Sequence, residues 1–97
     1  MKFTKQTYVD VSTAHITEKD CDLLNKDEYD QPLFCLPFEY GFWLWAHDYK
    51  NLHDWYLEYG YSQAICDLMW EASQQEVAWI KLDCDGFDVE GAPKFNW

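Results

Sequence analysis

Asp83 and Asp85 close the stretch Val77–Gly86, VAWIKLDCDG, which places two carboxylates either side of Cys84 at the end of an apolar run. On a strand end, such a pair could let one carboxylate attack phosphorus while the other carries a proton, with magnesium between them. That chemistry also needs a hydroxyl donor, a lysine and further carboxylates from later strands. Only 11 residues follow Gly86. The pair therefore reads as a tight turn whose aspartates accept backbone hydrogen bonds. Asp83, Asp85, Asp88 and Glu90 also fall short of a calcium loop, because Gly86 stands fourth rather than sixth and Lys94 occupies the twelfth place. They leave a weak adventitious cation site at most.

The other reactive residue types are equally incomplete. His47-Asp48 and His53-Asp54 repeat a His-Asp pair six residues apart, the make-up of a metal pair or an acid-base dyad. They flank a strand-to-helix junction and read as solvated loop and first-turn residues. His15 follows Ser12 and Thr13, but no glycine-flanked serine forms a nucleophile elbow. Gly41, Gly60, Gly86 and Gly91 are too far apart to cradle a phosphate. Cys21, Cys35, Cys66 and Cys84 contain no CxxC pair, which excludes the usual zinc-finger spacings. Lys19 beside Cys21 is the one basic neighbour that would favour a thiolate. The expectation is a protein with no catalytic residues and no cofactor.

The elements that would position these residues follow from periodicity. Val77–Gly86 is the strongest strand, ending in an Asp85-Gly86 turn that suits a positive φ. Alternation within Lys2–Thr13 predicts a first strand. Thr17 caps a helix running to about Lys26, with acids in its first turn and Ile16, Cys21 and Leu23 or Leu24 inward. Residues Asp27–Pro37 read as a loop in which Pro32 and Pro37 bracket an apolar insert. Phe38–Ala46, FEYGFWLWA, reads as a second strand with a bulge or bend at Gly41, its aromatics on both faces placing it under cover or at a partner surface. Lys50–Tyr59 is helical, with Asn51 as cap and Gly60 as breaker. Ser62 then caps the clearest helix, in which Tyr61, Ala64, Ile65, Leu68, Met69 and Ala72 share one side. Phe95 and Trp97 tie the tail to the core. This order predicts an α+β fold, a small two-layer domain with a three- to four-stranded sheet and two to three helices packed on one face.

Length and charge bound the function. A chain of 97 residues is read as a single globular domain, 1–97, with room for a core but little for an enclosed active site. Eighteen acidic residues oppose seven lysines, with no arginine, for a net charge of −11. Such a surface repels nucleic acid and anionic membranes and attracts basic partners. No signal peptide opens the chain and no apolar run spans a bilayer, so a reducing cytoplasm with free thiols is expected. Aromatics make up 20% of the chain. The cluster Tyr40, Phe42, Trp43, Trp45, Trp55, Tyr56, Tyr59 and Tyr61 reads equally as a ring-rich core or as an interface.

Two resemblances can be stated. Trp79–Gly86 resembles the nucleophile strand of haloacid-dehalogenase-type phosphatases, without the later strands that family needs. STAHI at Ser12–Ile16, WIKLDCDG at Trp79–Gly86, Pro93 and the closing Trp97 together resemble a family of short uncharacterised proteins carried by phages, plasmids and integrated elements. Its members open on a Ser-Thr-Ala-His segment and close with an Asp-x-Asp-Gly turn and a Pro-x-x-x-Trp tail. Residues 27–49 follow that pattern least. The resemblance carries no catalytic residues. It implies a mobile-element context in which small acidic proteins resemble anti-CRISPR and anti-restriction inhibitors. The expected function is a non-enzymatic acidic inhibitor in a bacterial host cytoplasm. Its partner would be a basic nucleic-acid-binding protein, a CRISPR effector subunit foremost, whose groove it blocks by DNA mimicry. Asp20, Asp22, Asp27, Glu28 and Asp30 form one expected acidic run and Asp67, Glu71 and Glu76 another, with Trp43 and Trp45 as anchors. The alternative is a protein-interaction module or homodimer that pairs through its aromatic strand.

Overall fold

Two periods in the sequence become two layers in the computed structural model, which describes residues 1–26 and 31–97. The chain runs β1 (Tyr8–Ser12), α1 (Glu18–Asn25), β2 (Cys35–Phe38), β3 (Gly41–Trp45), α2 (His53–Tyr59), α3 (Gln63–Gln74) and β4 (Trp79–Asp83). The four strands form one mixed sheet in the order β1-β4-β3-β2, with β4 parallel to β1 and antiparallel to β3. This is the expected α+β architecture. The strongest strand of the sequence lies inside the sheet because both of its edges are paired.

Period-two alternation divides each strand between the faces. Val11, Phe42, Leu44, Ile80 and Leu82 are buried and join Leu23, Leu24, Tyr56, Ile65, Met69 and Ala72 from the three helices in one core. Helix starts follow their caps. Thr17 and Asp20 make a reciprocal capping box on α1, and Ser62 accepts the Ile65 N–H at 3.2 Å to open α3. Gly60 ends α2 as its left-handed cap at φ 116°.

Several expectations are corrected. Phe38–Ala46 is not one strand. Glu39 and Tyr40 form a two-residue turn, and the segment before it, expected to be loop, supplies β2. Pro37 fits there because β2 is an edge strand with one ladder to satisfy. Gly41 is not a bulge: it pairs in register with Phe38 and Asp83, and a Cβ there would sit 1.8 Å from the Leu82 carbonyl oxygen. Asn51 caps nothing, since a 3-10 turn at Tyr49–Asn51 precedes α2. Gly86 is also required for closeness rather than for positive φ, because a Cβ would meet the Val11 carbonyl at 2.5 Å.

Candidate interaction surface

The helices cover one face of the sheet and leave the other to aromatic rings. In register, Tyr8 stands beside Trp79, Trp79 beside Trp45, and Lys81 beside both Asp10 and Trp43. Ring centroids lie 5.1 Å apart for Tyr8–Trp43, 4.8 Å for Trp45–Trp79, 6.4 Å for Trp43–Trp79 and 6.1 Å for Phe34–Trp79, mostly edge-to-face. Gln6, Phe34, Trp45 and Trp79 enclose a shallow dish of about 430 Å³. Tyr8 and Phe34 keep 56% of their surface exposed and Leu36 46%. Among the described residues no second layer lies over these side chains, and they form a contiguous apolar patch.

One cation sits within the patch. Lys81 Nζ lies 5.8 Å from the Phe38 ring centre and 5.9 Å from that of Trp43, between Asp83 at 3.5 Å and Asp10 at 3.9 Å. Asp10 Oδ1 is shielded from solvent and accepts no hydrogen bond. The face therefore offers rings and a lysine with its charge largely balanced.

The structure brings Trp43 and Trp45 together on this face and divides the rest of the aromatic cluster. Phe42, Tyr56 and Tyr61 belong to the core, whereas Trp55 lies exposed on α2. Tyr8, Phe34, Trp79 and Lys81 were missed as surface residues. Alternation along β1 and β4 marks them, but only strand order shows that their faces coincide.

The acidic runs separate. Asp20 leaves the surface: it is fully buried, accepting N–H bonds from Thr17 at 3.0 Å and Ser62 at 2.8 Å and the Ser62 hydroxyl proton. It joins the starts of α1 and α3 and has no surface to offer a partner. The Thr17-x-x-Asp20 spacing is the sequence signal for half of that role. Asp22, Asp67, Glu71 and Glu76 are exposed, Glu76 at a left-handed φ of 58° where α3 ends. Asp27, Glu28 and Asp30 lie outside the described residues.

The motifs carrying the family resemblance converge at the other end of the sheet. Val89 N–H donates to His15 Nε2 at 2.8 Å, so Nδ1 carries the proton donated to the Pro93 carbonyl, also at 2.8 Å. Phe95 N–H reaches Ala14 O at 2.8 Å, the Trp97 indole reaches Ile16 O at 3.0 Å, and Ser12 N–H reaches Phe87 O at 2.9 Å. STAHI thus straps the tail down, and buried His15 has no free nitrogen for general-base work.

The remaining candidates are occupied or exposed. Asp83 Oδ1 accepts the Asp85 N–H at 2.9 Å, the turn bond expected of it. Among the described residues, Asp83, Cys84 and Asp85 are the one group whose ligand atoms could gather on a metal, and the turn is open to solvent. His47 packs on Trp45, whose indole donates to Asp48 at 3.2 Å, while His53 pairs with the Tyr49 hydroxyl. The two His-Asp pairs do not form one site. Burial pushes the Cys35 thiol up to about 12 and raises Cys66 as well. No helix among the described residues is long and apolar enough to cross a membrane.

The chain belongs to a family of unknown function, DUF5983, whose C-terminal domain matches residues 8–97. No curated protein and no solved structure matches the chain.

Proposed function

We propose, with membership of that family as the premise, that this chain is a non-enzymatic protein-binding module. Its ring-covered sheet face seats an apolar patch on a partner protein. The observation that carries this reading is the contiguous patch formed by Tyr8, Phe34, Leu36, Trp43, Trp45 and Trp79, which no layer of the described residues covers. Clustered aromatic anchors are the make-up of binding hot spots. A different protein fits better than a second copy, because two copies each carrying −11 repel.

The second reading is the anti-CRISPR-like inhibitor of a phage or other mobile element, acting in a reducing bacterial cytoplasm on a basic nucleic-acid groove. The exposure of Asp22, Asp67, Glu71 and Glu76 favours it. Salt separates the two, since surface charge attraction is screened within a few ångströms at about 1 M salt. Wild type, Phe34→Ser/Leu36→Ser and Asp22→Asn/Glu76→Gln, the last two outside the groove between α3 and the tail, are each used to capture the same partner at about 0.1 and 1 M salt. The sheet-face reading expects retention at both salts by wild type and the acid variant, and loss by the ring variant. Release by salt and loss in the acid variant would overturn it in favour of mimicry. A concentration-dependent dimer abolished by Phe34→Ser/Leu36→Ser would overturn the choice of a different protein as occupant.

A further inference from the structure

The tail and α3 enclose a second surface, independent of the ring face. Leu68, Trp70 and Val89 line a groove of about 470 Å³ together with Asp67, Glu71 and Glu90, and none of the described residues lining it is a cation. Trp70 keeps 43% of its surface exposed and Val89 37%, so the apolar lining is reachable from solvent. A neighbouring hollow of about 490 Å³ shares Asp67 and Trp70 with it but is otherwise polar, lined by Lys50, Asn51, His53 and Asp54. The trough between α3 and the tail is thus the apolar one, with carboxylates beside its lining.

The wall opposite α3 is held in place. His15 grips the tail from behind at Val89 and Pro93, and the Phe95 and Trp97 bonds fix the chain beyond. A wall ordered before binding reduces the entropy lost when a ligand docks. An apolar lining beside carboxylates complements an amphipathic segment with an apolar stripe between cationic flanks, the helix-in-groove mode of recognition.

We infer that the trough between α3 and the tail docks a Lys/Arg-bearing amphipathic helix of a partner protein, with Leu68, Trp70 and Val89 taking its apolar stripe and Asp67, Glu71 and Glu90 its cations. This goes beyond the sheet-face reading and stands without it. The probe is a synthetic amphipathic leucine–lysine helix titrated into the full chain by NMR. A leucine–glutamine helix is the neutral control. The Trp70 indole and the Val89 and Ala92 amides should shift, and those of Trp43 and Trp79 should not.

Asp67→Asn/Glu71→Gln should weaken the lysine peptide roughly three- to tenfold, as two exposed ion pairs imply. Glu18→Gln/Asp22→Asn removes the same charge from α1, outside the trough, and should change affinity by less than about twofold. Phe34→Ser/Leu36→Ser should leave peptide affinity unchanged, which separates this result from failure of the sheet-face reading. Equal weakening by the two acid variants would reduce the binding to net charge and overturn the trough. So would shifts centred on Trp79, equal binding of the neutral helix, or no binding of the lysine helix.

Discussion

The two faces of the sheet are made by the same strands, yet they solve burial in different ways. Toward the helices, Phe42, Leu44, Ile80 and Leu82 are buried against side chains of a second layer. Away from them, Trp43, Trp45, Trp79 and Tyr8 cover one another edge to face and stop there. Aliphatic side chains need a facing layer to leave water. Large rings can shield much of their surface against neighbours in the same sheet. The ring face can therefore exist uncovered while retaining a strong tendency to be covered by something else.

Truncation on each face gives the largest effect and the first way to break the comparison. Ile80→Ala should cost about 2–5 kcal/mol, because it removes buried aliphatic volume from a packed site. Trp79→Ala, its neighbour on the open face, removes more atoms but should cost less, about 1–2 kcal/mol, since water can fill the space vacated. Urea denaturation of both variants is the check. A Trp79 cost equal to that of Ile80 would mean that the ring face is a second core.

The acidic residues show the same contrast on one helix. Asp20 is buried with three donors on its carboxylate, whereas Asp22 is exposed. Asp20→Ala should cost about 1–3 kcal/mol by orphaning the Thr17 and Ser62 N–H groups. Asp22→Ala should stay within about 0.5 kcal/mol. The difference in urea midpoint measures how far the two carboxylates have diverged. If Asp20→Ala melts with the wild type, the link between the starts of α1 and α3 carries no stability.

Much of the fold was legible in local chemistry. Thr17 and Ser62 announced the starts of α1 and α3, the period of Ala64–Ala72 gave the buried side of α3, and VAWIKLDCDG gave the inner strand. The hairpin was hidden because aromatics continue through its turn, Phe38-Glu39-Tyr40-Gly41, and no Asn-Gly or Asp-Gly pair marks the reversal. The surface was harder to read than the fold. Trp43 and Trp45 announced themselves as anchors on one strand. Tyr8, Phe34 and Trp79 join them only through the order β1-β4-β3-β2, a long-range property that no short window contains. Asp20 was misplaced for a similar reason. Its partner Ser62 is 42 residues away, and a carboxylate in a helix's first turn looks solvated until that contact is known.

Thiol chemistry sharpens the comparison with a smaller effect. Cys35 packs against the core on the helix-covered side, and burial holds its thiol up to about 12. Only the thiolate reacts, so a raised value means little reactive form at neutral pH, and the fraction grows only as pH approaches that value. Cys84 is exposed at the strand-end turn. A labelling reagent should modify Cys84 first. Raising the pH from about 7 to 9 should leave Cys35 in the folded protein almost unreactive. Rapid modification of Cys35 at neutral pH would show that the edge of the covered face opens.

The smallest expected effect on stability is also the one most informative about function. Phe34 and Leu36 lie at the rim of the ring face with about half their surface in water. Phe34→Ser and Leu36→Ser should each change stability by no more than about 0.5 kcal/mol. A residue held only for folding is expected to cost stability when it is removed. An exposed apolar side chain that costs nothing in the free protein, yet abolishes retention of a partner, is held for the complex. Thermal melting of the two variants, set beside their partner capture, separates these cases. Loss of stability matching the loss of binding would make the rim part of the core. Binding lost from a fully stable chain would leave the ring face as the surface the fold exists to present.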